Sequence, residues 1–227
     1  MDSMYEILKG LPLFHGASTE RISDIVGKAK FHFLKYLSGE RIIAAGDQCN
    51  HVKFVISGEV RSTISNSTEK FKVSQTLQSP SVIAPEFLFG RATVYPCNVD
   101  ALTDVGILQI SKNDYINILN RDHVFLYNFL NILSMNAQKS VDGVLALSSG
   151  DLEERIAFWI VALTQRNGTD IKVTCRQRDL YSLFGVQRSS FIATLESMKQ
   201  RGIIDYSQNE ISVISREELV SLIDNRL

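Results

Sequence analysis

The sequence predicts an α+β protein in two parts: an all-β barrel or sandwich and, beyond a long helix, a winged helix-turn-helix. Three observations carry this. Between residues 31 and 110, β-length runs rich in Val and Ile recur at intervals of roughly ten residues, punctuated by glycine. From about residue 122, apolar residues repeat in steps of three and four. Near the C-terminus a short helical run, Gly185 and a longer helical run precede two short strands.

The opening residues read as two short helices. Tyr5, Ile7, Leu8 and Leu11 form the apolar face of the first, which Ser3 can cap and which Gly10 and Pro12 break. Ser18 can cap the second, with Ile22, Ile25, Val26 and Ala29 on one face. Strands are then expected over Arg41–Ala45, Val52–Ile56 and Val60–Ile64, separated by Ser38-Gly39-Glu40, Ala45-Gly46-Asp47 and Ser57-Gly58-Glu59. Glycine supplies positive φ at such corners. No helix-length segment fits between these strands, which excludes a βαβ sheet.

Ser111 can cap a helix from Lys112 to Leu119, and a second helix runs from about Asp122 to residue 148. Leu126, Leu130, Leu133, Ala137, Val141 and Val144 line one face of the latter, with Phe125, Phe129 and Ile132 beside them. A face this wide serves two partners. One is the chain's own barrel; a second copy in a dimer and a single enclosing core are both compatible with the pattern. Ser148-Ser149-Gly150 interrupts the helix, and Asp151 with Glu154 opens the next, which is expected to reach Arg166 before Asn167-Gly168. The expected organisation is therefore 1–120 for the β-rich domain, 121–148 for the long helix and 149–227 for the C-terminal domain.

In that last domain Ile171–Thr174 alternates as a strand, followed by helices from Gln177 to Phe184 and from Gln187 to Arg201. Leu180, Leu183 and Phe184 are expected to face inward from the first, and Ile192, Leu195 and Met198 from the second. Gln187, Arg188, Ser190 and Thr194 then point outward. Ile203–Tyr206 and Glu210–Ile214 form a hairpin, hence a wing, and Ser215 with Glu218 opens a final helix to about Asp224.

Net charge is −1, so charge for a nucleic acid has to be local. It is: residues 172–202 hold six basic and two acidic side chains, an excess of +4. Arg188 begins the second helix, where a recognition helix meets base edges, and its guanidinium matches guanine O6 and N7. Gln187 suits a phosphate or an adenine, and Ser189 and Ser190 suit phosphates. Arg178 and Gln177, early in the preceding helix, suit the backbone.

The chain from about Leu11 to Leu222 resembles the Crp–Fnr family of transcription regulators. LSGERIIAAGD…FVISGEV resembles its β-roll, and RDLYSLFGVQRSSFIATLESMKQRGII resembles its helix-turn-helix. The resemblance implies a double-stranded β-roll sensor, a long dimerisation helix and a winged helix. It implies a homodimer binding paired half-sites in double-stranded DNA near promoters, and it allows RNA polymerase as a further partner. Arg188 falls on the family's base-reading arginine. Ser189 stands where a glutamate is usual, and Ala193 where a second arginine is usual, so a different operator is expected.

The effector segment APEFLFGRATVYPCNVDAL also departs from the family pattern. Glu86 matches a ribose-binding glutamate, but Pro85 replaces a glycine and Tyr95-Pro96 stands where cyclic-nucleotide binders carry Arg-Ser. A buried cyclic phosphate would lack its counter-charge, which disfavours cyclic AMP. Arg91 lies four positions early for that role. The expected effector pocket comprises Glu86, Phe87, Tyr95, Phe125 and Phe129, between Val82 and Val99, and suits an apolar or aromatic ligand.

Cys49, Cys97 and Cys175 are too few and too scattered for an iron–sulfur cluster, imply no disulfide framework and fit a reducing compartment. No spacing among His15, His32, His51 and His123 points to haem, and Cys49 with His51 alone makes a weak metal site. No enzymatic nucleotide-binding, hydrolase or metalloprotease motif is present, so no catalytic role is expected. The N-terminus lacks the pattern of a secretory signal, and Ile156–Leu163 is too short an apolar run to span a membrane. A cytoplasmic protein without a membrane partner is expected. The competing functional reading is a ligand-binding or protein-interaction module that has lost sequence-specific DNA binding.

Overall fold

The computed structural model describes residues 2–146 and 150–223. The expected helix end at 147–149, the capping side chain of Ser3 and Asp224 lie outside the described residues. By internal contacts the chain forms two compact units, Met1–Ser62 with Leu77–Asn136, and Thr63–Thr76 with Ala137–Leu227. This division cuts the long helix earlier than residue 148 and assigns a piece of the β-rich half to the C-terminal unit.

The first unit opens with helices α1 (Asp2–Gly10) and α2 (Thr19–Lys28), joined by a 3-10 turn at Pro12–Phe14. Ser18 caps α2, its hydroxyl accepting from the Arg21 N–H. Strands β1 (Phe31–Tyr36), β2 (Arg41–Ile43), β3 (His51–Ser57), β4 (Glu59–Ser65), β5 (Lys72–Gln78), β6 (Ser81–Ile83), β7 (Cys97–Ala101) and β8 (Val105–Ser111) follow. Four of them form a sheet in the order β1-β8-β3-β6. Its central pairs, Phe54↔Leu108 and Val55↔Ile107, are buried at successive positions. Both faces are therefore covered, which is why these strands read as apolar runs and not as clean alternation. On one face Phe14 packs edge-on against Phe54 and Phe125. β2 pairs with β7, where Arg41 forks onto the Asp100 carboxylate at 2.7 and 3.2 Å.

Ser111 caps α3 (Lys112–Arg121), and α4 (His123–Ala146) follows. Phe125 and Phe129 of α4 are buried, while Leu126 and Leu133 are half-buried against the same core.

Gly58, between β3 and β4, has φ +81°, and a Cβ there would run into the Asp104 carbonyl oxygen and Thr103 Oγ1. The steric cost of a left-handed residue adds to that collision. Gly58→Ala is expected to destabilise this unit by about 2 kcal/mol or more, seen as a lower thermal midpoint of the β-rich unit.

The second unit contains α5 (Leu152–Leu163), β9 (Thr169–Thr174), α6 (Gln177–Leu183), α7 (Arg188–Gln200), β10 (Ile204–Tyr206), β11 (Glu210–Val213) and α8 (Arg216–Ser221). Asp151 caps α5 by accepting from the Glu154 N–H at 2.9 Å, and Ser215 caps α8 through the Glu218 N–H. α5 stops three residues short of Arg166: Thr164 is the C-cap, and its buried hydroxyl turns back to the Ile160 carbonyl. Strand order continues β10-β11-β9-β5, so the tip of the β4–β5 hairpin completes the wing sheet. Val73 of that hairpin shares a core with Ile156, Trp159, Val173, Phe191 and Leu195.

Two expected faces are corrected. Leu183 is 48% exposed, because α6 ends there and only Leu180 and Phe184 turn inward. On α7 the inner line is Phe191, Leu195 and Met198, an i, i+4, i+7 stripe, with Ile192 half-buried at its flank.

Candidate nucleic-acid interface and effector segment

Gly185, at φ +65°, makes the turn between α6 and α7. The turn is held from α5: Arg155 donates to the Phe184 carbonyl at 2.5 Å and lies over the Phe184 ring. Gln187 is the N-cap of α7, and its side chain makes no capping bond. Gln187, Arg188, Ser189 and Ser190 are all exposed at the helix start, and Arg178 is exposed on α6. The structure thus brings these five residues onto the helix-turn-helix with exposed side chains. Gln177 is differently engaged, its amide donating to the Ser207 carbonyl in the wing turn at 3.0 Å. Thr194 Oγ1 donates to the Ser190 carbonyl of its own helix. Thr194 must give up this bond before its hydroxyl can donate to a ligand, whereas Gln177 keeps a second amide N–H and its Oε1.

The local charge is smaller than the sequence window suggests. Lys172 pairs with Asp170, Arg176 with Asp179, Lys199 with Asp205 and Arg201 with Glu153. Hydrogen bonding between Lys199 and Asp205 raises the lysine pKa and lowers that of the carboxylate. Three of those carboxylates, Asp170, Asp205 and Glu153, lie outside the 172–202 window. Of the six cations counted there, Arg178 and Arg188 form no ion pair among the described residues. Both are among the residues that the sequence leads one to expect at DNA.

In the first unit, the segment expected to meet an effector touches α4. Phe89 contacts the Phe129 ring at 5.7 Å, and Asn136, seven residues further along α4, donates to Glu86 at 3.2 Å. Tyr115 of α3 meets Phe129 edge-on at 5.3 Å. Glu86 is exposed, Phe87 is half-buried, and Ala84 before Pro85 adopts the left-handed region at φ 43°. A non-glycine residue there stores about 1–2 kcal/mol of strain. Phe125 is elsewhere on α4, packed on Phe14. The structure therefore brings Glu86 and Phe89 to Asn136 and Phe129 of α4, leaves Phe87 half-buried against the same core, and places Phe125 against Phe14.

Tyr95, the residue in the place of the expected arginine, is 3% exposed. Its hydroxyl donates to the His51 carbonyl at 2.8 Å. Burial, then a hydrogen bond with the Cys49 thiol, pushes its pKa well above the ordinary phenol value. The side chain is a neutral core residue. Nearby on β3, Lys53 is half-buried, donates to Gln109 Oε1, and burial lowers its pKa. The inward placement of Lys53 and Tyr115 and the contact of Asn136 with Glu86 are not legible in the sequence, because nothing local marks a polar group as turned inward. Among the described residues no cluster of three potential metal ligands occurs, and no helix is long and apolar enough to cross a membrane.

Comparison with known proteins agrees with this geometry. The cyclic nucleotide-binding domain family matches residues 33–122, and the Crp-like helix-turn-helix domain family matches residues 154–222. The cAMP-activated global transcriptional regulator Vfr of Pseudomonas aeruginosa is 23% identical over 186 residues, 78% of this chain and 86% of Vfr. The potassium channel GORK of Arabidopsis thaliana is 27% identical over 150 residues, 63% of this chain; the chain spans only 17% of the channel's length. Among solved structures, the catabolite activator protein of Thermus thermophilus superposes with a TM-score of 0.53 at 18% identity, over 95% of this chain and 100% of that one. That likeness concerns the fold. With a cyclic-nucleotide-binding fold before a Crp-like helix-turn-helix in one chain, the protein belongs to the Crp–Fnr family of transcription regulators.

Proposed function

We propose that the protein is a homodimeric transcription regulator that reads a palindromic promoter site through Arg188 and is governed by an effector other than cyclic AMP. The observation that carries the DNA-reading part is the placement of Arg188: exposed, in no ion pair among the described residues, and in the first turn of α7. A guanidinium in that position can donate two parallel bonds to guanine. Ser189 and Ser190 beside it, with Arg178, would hold phosphates.

The dimer reading rests on α4. Tyr127, Leu130, Ser134, Ala137, Val141 and Val144 are all exposed and succeed one another in steps of three and four. That is a heptad seam, spanning about 26 Å at 1.5 Å per residue. The seam uses Tyr127 in place of Leu126, which the chain's own core takes. In a dimer, two α7 helices have to sit about 34 Å apart to enter successive major grooves. An effector acts by favouring one such spacing over others.

Tyr95 supports the exclusion of cyclic AMP, because a buried neutral phenol supplies no counter-charge to a phosphate. Glu86, Phe87 and Phe129, against Asn136, are the proposed effector contacts. We expect isothermal titration with cyclic AMP to give no heat of binding.

Selection of duplexes from a random pool by the purified protein tests the central claim, with an enriched inverted repeat as the expected result. Absence of enrichment at low salt and of any salt-dependent duplex binding would favour an interaction module without DNA binding. Affinity should fall with salt by about 0.9 log unit per phosphate for each log unit of salt. Arg178→Ala, removing two contacts per dimer, should flatten that slope by about 2 across all sequences.

A further inference from the structure

We infer, resting on the regulator reading, that the tip of the β4–β5 hairpin is an integral strand pair of the DNA-reading unit. Its docked state is the DNA-binding-competent state, and it is a second route by which the roll controls that unit. Strand ladder, core and turn each support this. β5 runs antiparallel to β9 with Lys72↔Thr174, Val73↔Val173 and Ser74↔Lys172 in register. Val73 is 3% exposed, and Phe71 meets the Trp159 ring at 5.8 Å. Gln75 Oε1 accepts from the Gln165 N–H at 2.7 Å, in the turn that leads from α5 into β9. Gly168 of that turn leaves the room Gln75 occupies, since a Cβ there would collide with Oε1.

Without the hairpin, β9 becomes an open edge of a three-stranded sheet, with Trp159 and Val173 stripped of cover. An open apolar edge is a liability that proteins close. Here the chain closes it with its own segment. With the hairpin docked, Arg178, Arg188 and Ser189 are exposed. Docking therefore leaves the reading residues open and serves to position them. The roots of the hairpin, Glu59–Ser62 and Leu77–Gln78, belong to the first unit. A change at those roots passes along two continuous strands into the wing sheet, in parallel with whatever α4 transmits.

The full-length Val73→Cys/Val173→Cys variant tests this. Facing Cα atoms in an antiparallel pair lie about 4.5–5.5 Å apart, within disulfide reach. Mild oxidation is expected to link the two thiols in the folded protein. The linked form should bind the selected duplex within about threefold of its reduced form. Failure of the link to form overturns the docking. A link that abolishes binding, restored by reduction, overturns the assignment of the docked state as competent.

Val73→Asp is the complementary variant, read by hydrogen exchange and DNA binding. Exchange across residues 169–174 is expected to rise at least tenfold while β3 and β8 are unchanged, and the ratio of operator to random-duplex affinity to fall about tenfold. Unchanged exchange in β9 overturns the proposal. If the wild-type protein binds no duplex at all, the regulator reading fails, while disulfide formation and β9 exchange still decide the docking.

Discussion

Replacing Arg188 by alanine is expected to remove sequence selectivity while leaving the fold intact. The side chain is exposed, forms no ion pair among the described residues and sits in the first turn of α7, so its loss costs the folded state little. A bidentate arginine–guanine contact is worth about 1–3 kcal/mol of discrimination. Two half-sites double this to about 2–6 kcal/mol, or roughly 30- to 10⁴-fold in affinity for the operator. Binding to random duplex, which depends on phosphates, should fall far less. Fluorescence anisotropy titrations on both duplexes separate the two. Equal losses on operator and random duplex would reduce Arg188 to a phosphate contact and move base reading to Gln187 or the wing.

The second large effect is expected from Val141→Arg. Val141 is 58% exposed in the single chain, in the C-terminal part of the Tyr127–Val144 stripe. Arginine there is harmless to a monomer and severe in a helix pair, where each chain would bury an uncompensated charge at about 3–5 kcal/mol. Sedimentation should show a monomer at micromolar concentration, with the thermal midpoint of the β-rich unit unchanged. Operator affinity should drop toward that of one half-site. A variant that remains dimeric places the interface away from α4 and removes the helix as the carrier of the effector signal.

Much of this molecule could be read in advance because its signals are local. Ser18, Ser111, Asp151 and Ser215 cap their helices as their positions predict, since capping involves residues three apart. Gly58 and Gly185 mark positive-φ corners for the same reason: the steric cost is paid within one residue. Order and spacing of these signals were enough for the fold class. The errors lie where partners are distant in sequence. On α6 and α7 Leu180, Phe184, Leu195 and Met198 turn inward as expected, while Leu183 faces solvent and Phe191 takes the inner place expected of Ile192, because helix ends set by tertiary packing decide which side chains turn in.

By itself the sequence determined the order of elements, the helix-turn-helix with Arg188 at the start of its second helix, and Tyr95-Pro96 where cyclic-nucleotide binders carry Arg-Ser. Each follows from residue identity at a position. Only the tertiary structure decided which charges remain available, because the carboxylates that neutralise Lys172, Lys199 and Arg201 come from outside the basic segment. It also decided that Tyr95 is buried on the His51 carbonyl, and that Tyr127 and not Leu126 faces outward. It alone assigned residues 63–76 to the C-terminal unit, because pairing β5 with β9 joins strands about a hundred residues apart, and register between distant strands is set by packing and hydrogen bonding that no local pattern encodes.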